Sequence, residues 1–539
     1  MALFTPSQSP AITFREVDLT GVVPNAQSTT GAFVGNFNWG PVRQPVLVST
    51  EAELASVFGT PDTDNNVDYL SAAAFLRYSN SLYVIREISD SCVNAADNVG
   101  DAQLIRNKDA FDATTFSGGE KFVARYPGDF GNSLKISYSV NGASVNFGAS
   151  DLAKFDAASS TAEVHVLVTD EDGVITGTAG TVLETFPFLG TSASAKLSDG
   201  TSNFFQDVIN ENSNYIYCAL DSAAALDSSE ALSLSGGVVS STLTTGKIAT
   251  GFDEIENTEE YEVDFLIAPG MSVEADQVTV VNDLVTIASS TRKDCVVVSS
   301  PNRAAVVNAA NPVTSSVTTT NQFTNTSYLV VDNNWLKVYD KYNDVYTYIP
   351  AASSTAGVMA LSDLSAAPWY SPAGQRRGNY LGVTSLAYNA TKSQRDTLYK
   401  VGVNPIINLA GQGIVLFGDK TKLARPSAFD RINVRRLFLT IERSIGRAAQ
   451  NVMFEFNDEF TRAEFVNVVE PFLREIKGRR GITDFRVLCD DTNNTAAVVD
   501  RNEFIASVFV KPARSINYVT LNFVAVRSGV TFDEVVGTV

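Results

Sequence analysis

The chain has one histidine and four cysteines among its 539 residues, and no uninterrupted apolar run of membrane-spanning length. With His165 alone, histidine-based triads and multi-histidine metal sites have at most one member available. It sits in the strand-like run Val164-His165-Val166-Leu167-Val168, where a core histidine is the simpler reading. Cys92, Cys218, Cys295 and Cys489 are far apart and form no CxxC pair, which excludes a zinc knuckle and a disulfide framework. Buried free thiols in a reducing compartment are expected instead. A membrane helix needs roughly 18 consecutive apolar residues. The opening MALFTPSQSP has neither the basic start nor the apolar stretch of a signal peptide, so folding in a cytoplasm is expected. Positive charge is scarce as well: 40 Lys and Arg against 60 Asp and Glu give a net charge of -20, which disfavours nonspecific binding to nucleic acid or anionic membrane.

What is present is globular: 44% hydrophobic and 19% charged residues. At roughly 150 residues per domain the length suggests about three or four domains. Ile12 to Asp18 reads as a lone strand bounded by Pro10 and Gly21, and a lone strand needs a partner. Ala32-Phe33-Val34-Gly35, Pro45 to Val48 and Leu82 to Arg86 are short strands. Between them, Ser49 or Thr50 caps a helix ending near Phe58, and Asp68 to Tyr78 forms a second. From about Ala95 to Thr250 the texture turns to Ser, Thr, Ala, Gly and Asn with β-like runs, which reads as an inserted β-rich domain. The α/β texture then resumes: Val263 to Ile267, a helix around Val273 to Ser289, and Cys295 to Val298 have the spacing of a parallel crossover. Tyr328 to Val331 and Trp335 to Tyr339, flanking Asp332-Asn333-Asn334, predict a hairpin.

The strongest helical period lies in Gly411 to Gln450. Val434, Leu437, Phe438, Ile441, Ile445, Ala448, Ala449 and Val452 form one stripe, leaving Arg435, Arg436, Arg443 and Arg447 for the remaining surface. Ile414 to Phe417 before it reads as a strand covered on both faces. A second amphipathic helix starts at a capping box of Thr461 and Glu464, with Pro471 expected to kink it or restart it. Strands Phe504 to Val510 and Tyr518 to Val526 follow, and the tail offers another at Val530 to Val536. Lys420 to Arg486 holds 14 Lys and Arg against 9 Asp and Glu, a basic block in an acidic chain that reads either as a solvated helix face or as a contact for an acidic protein surface.

Two sites of apparent chemistry dissolve on inspection. Gly413-x4-Gly418-Asp419-Lys420-Thr421 approaches a phosphate-binding loop, but Asp419 displaces the lysine and puts a carboxylate where phosphate oxygens would sit. The acidic runs Asp253-Glu254-Glu256 and Glu259-Glu260-Glu262 match no ordered calcium loop and read as solvated linker. No cofactor or metal is expected, and no catalytic residue is assigned.

Several stretches in order resemble the tail sheath proteins of contractile bacteriophages. They are Ile12 to Asp18 with its FREVD core, Ala32 to Gly35 leading to Trp39-Gly40-Pro41-Val42 and Pro45 to Val48, Phe58-Gly59, Tyr126-Pro127-Gly128-Asp129-Phe130-Gly131-Asn132, Ala367 to Gly374, and Gly411 through Arg435-Arg436. The resemblance implies a nonenzymatic α/β (α+β) multidomain subunit with a mixed-sheet core built from N- and C-terminal parts, an inserted β-rich outer domain and strand-donating terminal arms. The expected divisions are arm 1–20, core 21–94, insert 95–255, core 256–400, an inner tube-facing domain 401–527 and arm 528–539. It further implies stacked hexameric rings in a contractile helical sleeve, assembled in the host cytoplasm and carried on the virion. The implied partners are other copies, a tail tube protein, and baseplate and tail terminator proteins, with no nucleic acid and no membrane insertion. Ile12, Phe14, Val17, Val530, Phe532 and Val535 become candidates for strand exchange, and Arg435, Arg436, Arg443 and Arg447 for a basic face toward the tube. A bacterial contractile injection particle is the nearest alternative, and a secreted β-rich adhesin or surface-layer subunit a more distant one.

Overall fold

A computed structural model describes residues 29–517 except 99–102, 117–118, 141–150, 152, 158, 161, 221–225, 227–229 and 240–242. At its centre is a seven-stranded sheet of β1 (Gly31–Gly35), β2 (Val46–Val48), β3 (Leu82–Arg86), β4 (Phe265–Ile267), β5 (Val296–Ser299), β6 (Leu329–Asp332) and β7 (Val403–Asn404), in the order β7-β6-β5-β4-β1-β3-β2. All neighbours are parallel except the edge strand β2, which runs antiparallel to β3. The first described strand thus lies inside the sheet. β1 pairs with β3 on one side and waits for β4, more than two hundred residues later, on the other.

Side chains alternate between two apolar layers, as the period of two requires. Phe33, Phe265, Ile267, Val296 and Val298 face one core, while Ala32, Val34, Leu266 and Val297 face the other. Helix α1 (Glu51–Phe58) is capped by Thr50, which accepts the Glu53 amide. It lies with α2 (Asn66–Leu76) and α5 (Ala352–Ser365) over the first layer, and α3 (Thr245–Asp253) and α4 (Glu274–Thr286) cover the second. Small residues set the distance between α2 and α5. A Cβ on Gly357 would stand 2.4 Å from the Tyr78 ring, and that ring is pinned because its hydroxyl accepts the Leu381 amide. The expected crossover is β4-α4-β5. Helix α3 falls inside the 95–255 segment assigned to the insert, yet Ile248 and Phe252 belong to the second core layer.

The expected hairpin at Tyr328 to Tyr339 is not formed. β6 pairs with β5 and β7, whereas Trp335–Asp340 leaves the sheet to pair with Val345–Pro350 and Ser385–Leu386. Asp332, Asn333 and Asn334, which resembled a surface turn, are fully buried at the sheet's end. Asn333 accepts the Ile406 amide and donates to the Tyr388 hydroxyl, and Asn334 donates to the Tyr388 carbonyl, so these side chains fasten three segments together. Asp332 accepts from the Asn334 amide and the Thr355 hydroxyl. Burial outweighs these bonds and pushes its carboxyl up to about 7. The folded state therefore holds this proton more tightly than the unfolded chain. The resulting stability is fully present below the ordinary value of 3.8 and is lost as pH rises through about 7. Asp332→Asn is expected to flatten the fall in stability between these limits relative to the parent. Urea midpoints taken at about pH 4.5 and about pH 7.5 check this, and an unchanged slope would count against it.

The insert is antiparallel, with strands at Thr181–Gly190, Glu163–Asp170, Leu134–Val140 and Glu230–Ser233 in that spatial order. His165 is buried within it, stacked on Phe155, with its ring nitrogens satisfied by the Phe188 amide and the Ala157 carbonyl. The C-terminal unit comprises α6 (Ile432–Gln450), α7 (Glu459–Gly478) and the ribbon of Ile482–Leu488 with Ser507–Pro512. α7 is capped by Asp458, which accepts the Thr461 amide, and not by the expected box at Thr461 and Glu464. Pro471 lies inside this one helix without ending it. Gly413–Leu416 pairs with Ile406–Leu409 in a two-stranded ribbon, and the consecutive burial of Ile414, Val415 and Leu416 agrees with the expected cover on both faces, whereas Phe417 beyond it is exposed. Both proposed arms, together with Tyr518 to Val526, lie outside the described residues.

Candidate functional site

Helix α6 joins the two units. Leu437 and Ile441 pack against Phe465, Val469, Leu473 and Ile476 of the C-terminal unit, while Ile432 and Leu439 enter the core of the large sheet. The helix is therefore covered on two sides, and the expectation of a free arginine face is corrected. Arg435 and Arg436 are 8% and 4% exposed. Arg435 donates to the Ser327 hydroxyl and is sandwiched between the Tyr328 and Phe429 rings, 4.2 and 4.4 Å from their centroids. Arg436 forks onto Asp363, donates to the Met359 carbonyl at 3.0 Å and lies over Phe265 of β4. Arg443 bonds Asp264 and the carbonyls of Val263 and Asp294. Asp264 also accepts the Thr30 amide, so this one carboxylate ties α6 to the start of β1. Arg447 is the most exposed of the four and pairs with Glu262 of the acidic run. The physical reason is simple: the apolar stripe marks one buried face, and on a second Arg436, Arg443 and Arg447 find acids while Arg435 finds a hydroxyl and two rings.

Beside the start of α6, Asp419 collects four donors: Arg431 at 2.8 Å, the Tyr399 hydroxyl at 3.1 Å, and the hydroxyls of Ser371 and Ser515 at 3.1 and 2.8 Å. Burial raises its carboxyl, but these bonds and the Arg431 charge together hold it below the ordinary range. Lys420 donates to the Tyr399 carbonyl. The residues that mimicked a phosphate loop thus fasten the C-terminal ribbon's exit, at Ser515, to the core.

A second clasp was spelled in the sequence motifs without its purpose being visible there. Arg86, at the end of β3, is fully buried, forms no ion pair among the described residues, and donates to the carbonyls of Phe37, Asn38, Gly40 and Pro127. Burial lowers its pKa to about 10. Trp39 packs against Tyr126 and Phe130 over the same joint. The Trp39-Gly40-Pro41 and Tyr126 to Asn132 stretches are therefore one structure, packed together where the core meets the insert. No helix among the described residues is long and apolar enough to cross a membrane, and these charge-laden joints bind one part of the subunit to another.

An open α/β core carrying a β insert and a clasped C-terminal unit is the fold of contractile-tail sheath subunits. The sheath tail protein of Listeria innocua superposes with a TM-score of 0.57 at 14% identity, covering 90% of this chain and 96% of that one. The sheath of an extracellular contractile injection system in its contracted state has a TM-score of 0.53 at 14% identity, covering 97% and 98%. Family models match residues 28–86 (tail sheath protein Gp18 domain III N-terminal region), 242–422 (phage tail sheath protein central domain) and 424–525 (phage tail sheath C-terminal domain). The tail sheath protein of Salmonella phage ViI is 31% identical over 99% of this chain and 98% of its own length. The chain belongs to the phage tail sheath protein family, and is accordingly a structural, nonenzymatic component of a virion tail.

Proposed function

We propose that copies of this chain stack as hexameric rings into a helical sleeve around a tail tube. The sleeve shortens to drive the tube through a host envelope. Full-length similarity to a phage tail sheath carries this reading. The extended sleeve is a kinetically trapped lattice, and contraction is rigid-body rotation of subunits whose bodies stay folded. The clasps at Arg86, Asp419 and Arg436 suit that requirement, since they hold core, insert and C-terminal unit as one lever. Ile12, Phe14 and Val17 of one arm and Val530, Phe532 and Val535 of the other lend strands to neighbouring copies. The remaining partners are the tail tube, baseplate and tail terminator proteins. The C-terminal unit faces the tube, but through surfaces other than Arg435, Arg436 and Arg443, which are spent internally.

Negative-stain microscopy of the purified protein tests the assembly. Ringed or helical tubes are expected; discrete particles at every concentration would refute it. A sheath on a genome-free injection particle is the second reading, favoured by the fold likeness to an injection-system sheath. Packaged DNA in the parent particle separates the two.

A further inference from the structure

Two features of the C-terminal unit are unexplained by the clasps. The turn between α6 and α7, together with the first residues of α7, raises Met453, Phe454, Phe456 and Phe460 into solvent, at 59%, 102%, 84% and 76% exposure, interleaved with exposed Glu455 and Glu459. Phe454 is held at φ 72°, a left-handed conformation uncommon for a bulky residue. Four large apolar side chains within eight residues form the kind of exposed patch that marks a contact surface.

Elsewhere on the same unit, where the chain emerges from the ribbon toward Asn517, a cleft of about 770 Å³ opens between the core and the C-terminal unit. Its lining presents Tyr370, the half-exposed Phe417 and the exposed Ile516. It also presents Lys392, Arg480 and Arg514, all exposed and with no side-chain partner among the described residues. The chain as a whole carries a net charge of -20, so three unengaged cations around one apolar cleft run against its composition.

We propose that the Met453–Phe460 turn of one copy docks in this cleft of a second copy. The two surfaces match in kind, aromatic with acidic against aromatic with basic, and this complementarity fixes the occupant's chemistry. They are different surfaces, so the contact is head-to-tail. Such contacts generate an open helical array when the rotation does not close. The turn is solvent-exposed in its own subunit, so it is free for a neighbour's cleft. The inference rests on the self-assembly proposed above and adds to it a contact made by the bodies of the subunits, independent of their arms.

The test is intersubunit crosslinking. Subunits carrying Phe456→Cys are mixed with subunits carrying Tyr370→Cys, assembled, and treated with a short bis-maleimide; the four native cysteines are buried and stay unreactive. A crosslinked dimer that needs both variants is expected. In parallel, Glu455→Arg/Glu459→Arg and Arg480→Glu/Arg514→Glu should each raise the concentration needed for polymerisation about tenfold or more, and mixing the two variants should restore it in part. Polymers that form normally without the crosslink overturn the docking and leave the sleeve standing. Capture of Phe456→Cys by a tube protein in assembled tails overturns it too, whereas a parent chain that stays monomeric removes both proposals.

Discussion

Arg436→Ala is expected to destabilise the subunit by about 3–5 kcal/mol, the range for breaking a buried ion pair by deleting one partner. The pair qualifies because both side chains are only 4% exposed. Deletion leaves the Asp363 carboxylate buried without its fork, the Met359 carbonyl without its donor, and the Phe265 ring without the guanidinium above it. Asp363 sits on α5, Phe265 in β4 and Arg436 on α6, so the loss falls on the joint between core and C-terminal unit and not on one element. The double change Arg436→Met/Asp363→Leu removes both charges and should recover much of the loss, because the cost arises chiefly from an uncompensated charge. Arg447→Ala is the control: its partner Glu262 is 62% exposed, and exposed pairs contribute about 1 kcal/mol or less. Denaturant midpoints of the three variants in dilute solution measure this. An Arg436→Ala subunit as stable as its parent would remove the clasp from the account of α6.

How far the arginines could be read from sequence follows from what a helical period contains. The spacing of Leu437, Ile441, Ile445 and Ala448 reports that one face is buried, and it is. It does not report what lies against the opposite side. Ile432 and Leu439 fall outside the stripe, and in hindsight they signal a second packing face. The partners Asp264, Asp294 and Asp363 are 73 to 179 residues away in sequence, beyond any local pattern. The sheet was legible where its strands are continuous apolar runs with period-two layers, as in Phe265-Leu266-Ile267. It was misread at Asp332-Asn333-Asn334, because turn-forming residues serve equally as buried fasteners, and nothing local separates the two uses. The motif stretches around Trp39 and Tyr126 were visible, but the residue that unites them, Arg86, ends an ordinary-looking strand and attracts no attention until its four carbonyl partners are in view.

Removing residues through Leu19 is expected to abolish long sleeves while leaving the subunit folded. On the strand-exchange proposal Ile12 to Asp18 is the donated strand, and such a segment gains most of its affinity from main-chain pairing with a neighbour's sheet edge. The folded body does not need it. The core layers and clasps described above draw on residues between 29 and 517, and the unfolding midpoint of the truncated chain is expected to match that of the parent. Assembly should differ sharply, since each lost arm removes one link per subunit and a polymer multiplies that loss along its length. Phe14→Pro within the intact arm separates backbone pairing from side-chain burial: proline deletes a ladder donor and should shorten the sleeves where Phe14→Leu does not. The two arms also make distinguishable contributions. If Ile12, Phe14 and Val17 pair with a neighbour that receives Val530, Phe532 and Val535 from another, truncation at either end should arrest growth, and the two truncated chains mixed together should not regain full length. Tubes of normal length from the chain lacking residues 1–19, seen by electron microscopy, would exclude the N-terminal arm as the link and leave the contacts between subunit bodies to hold the sleeve.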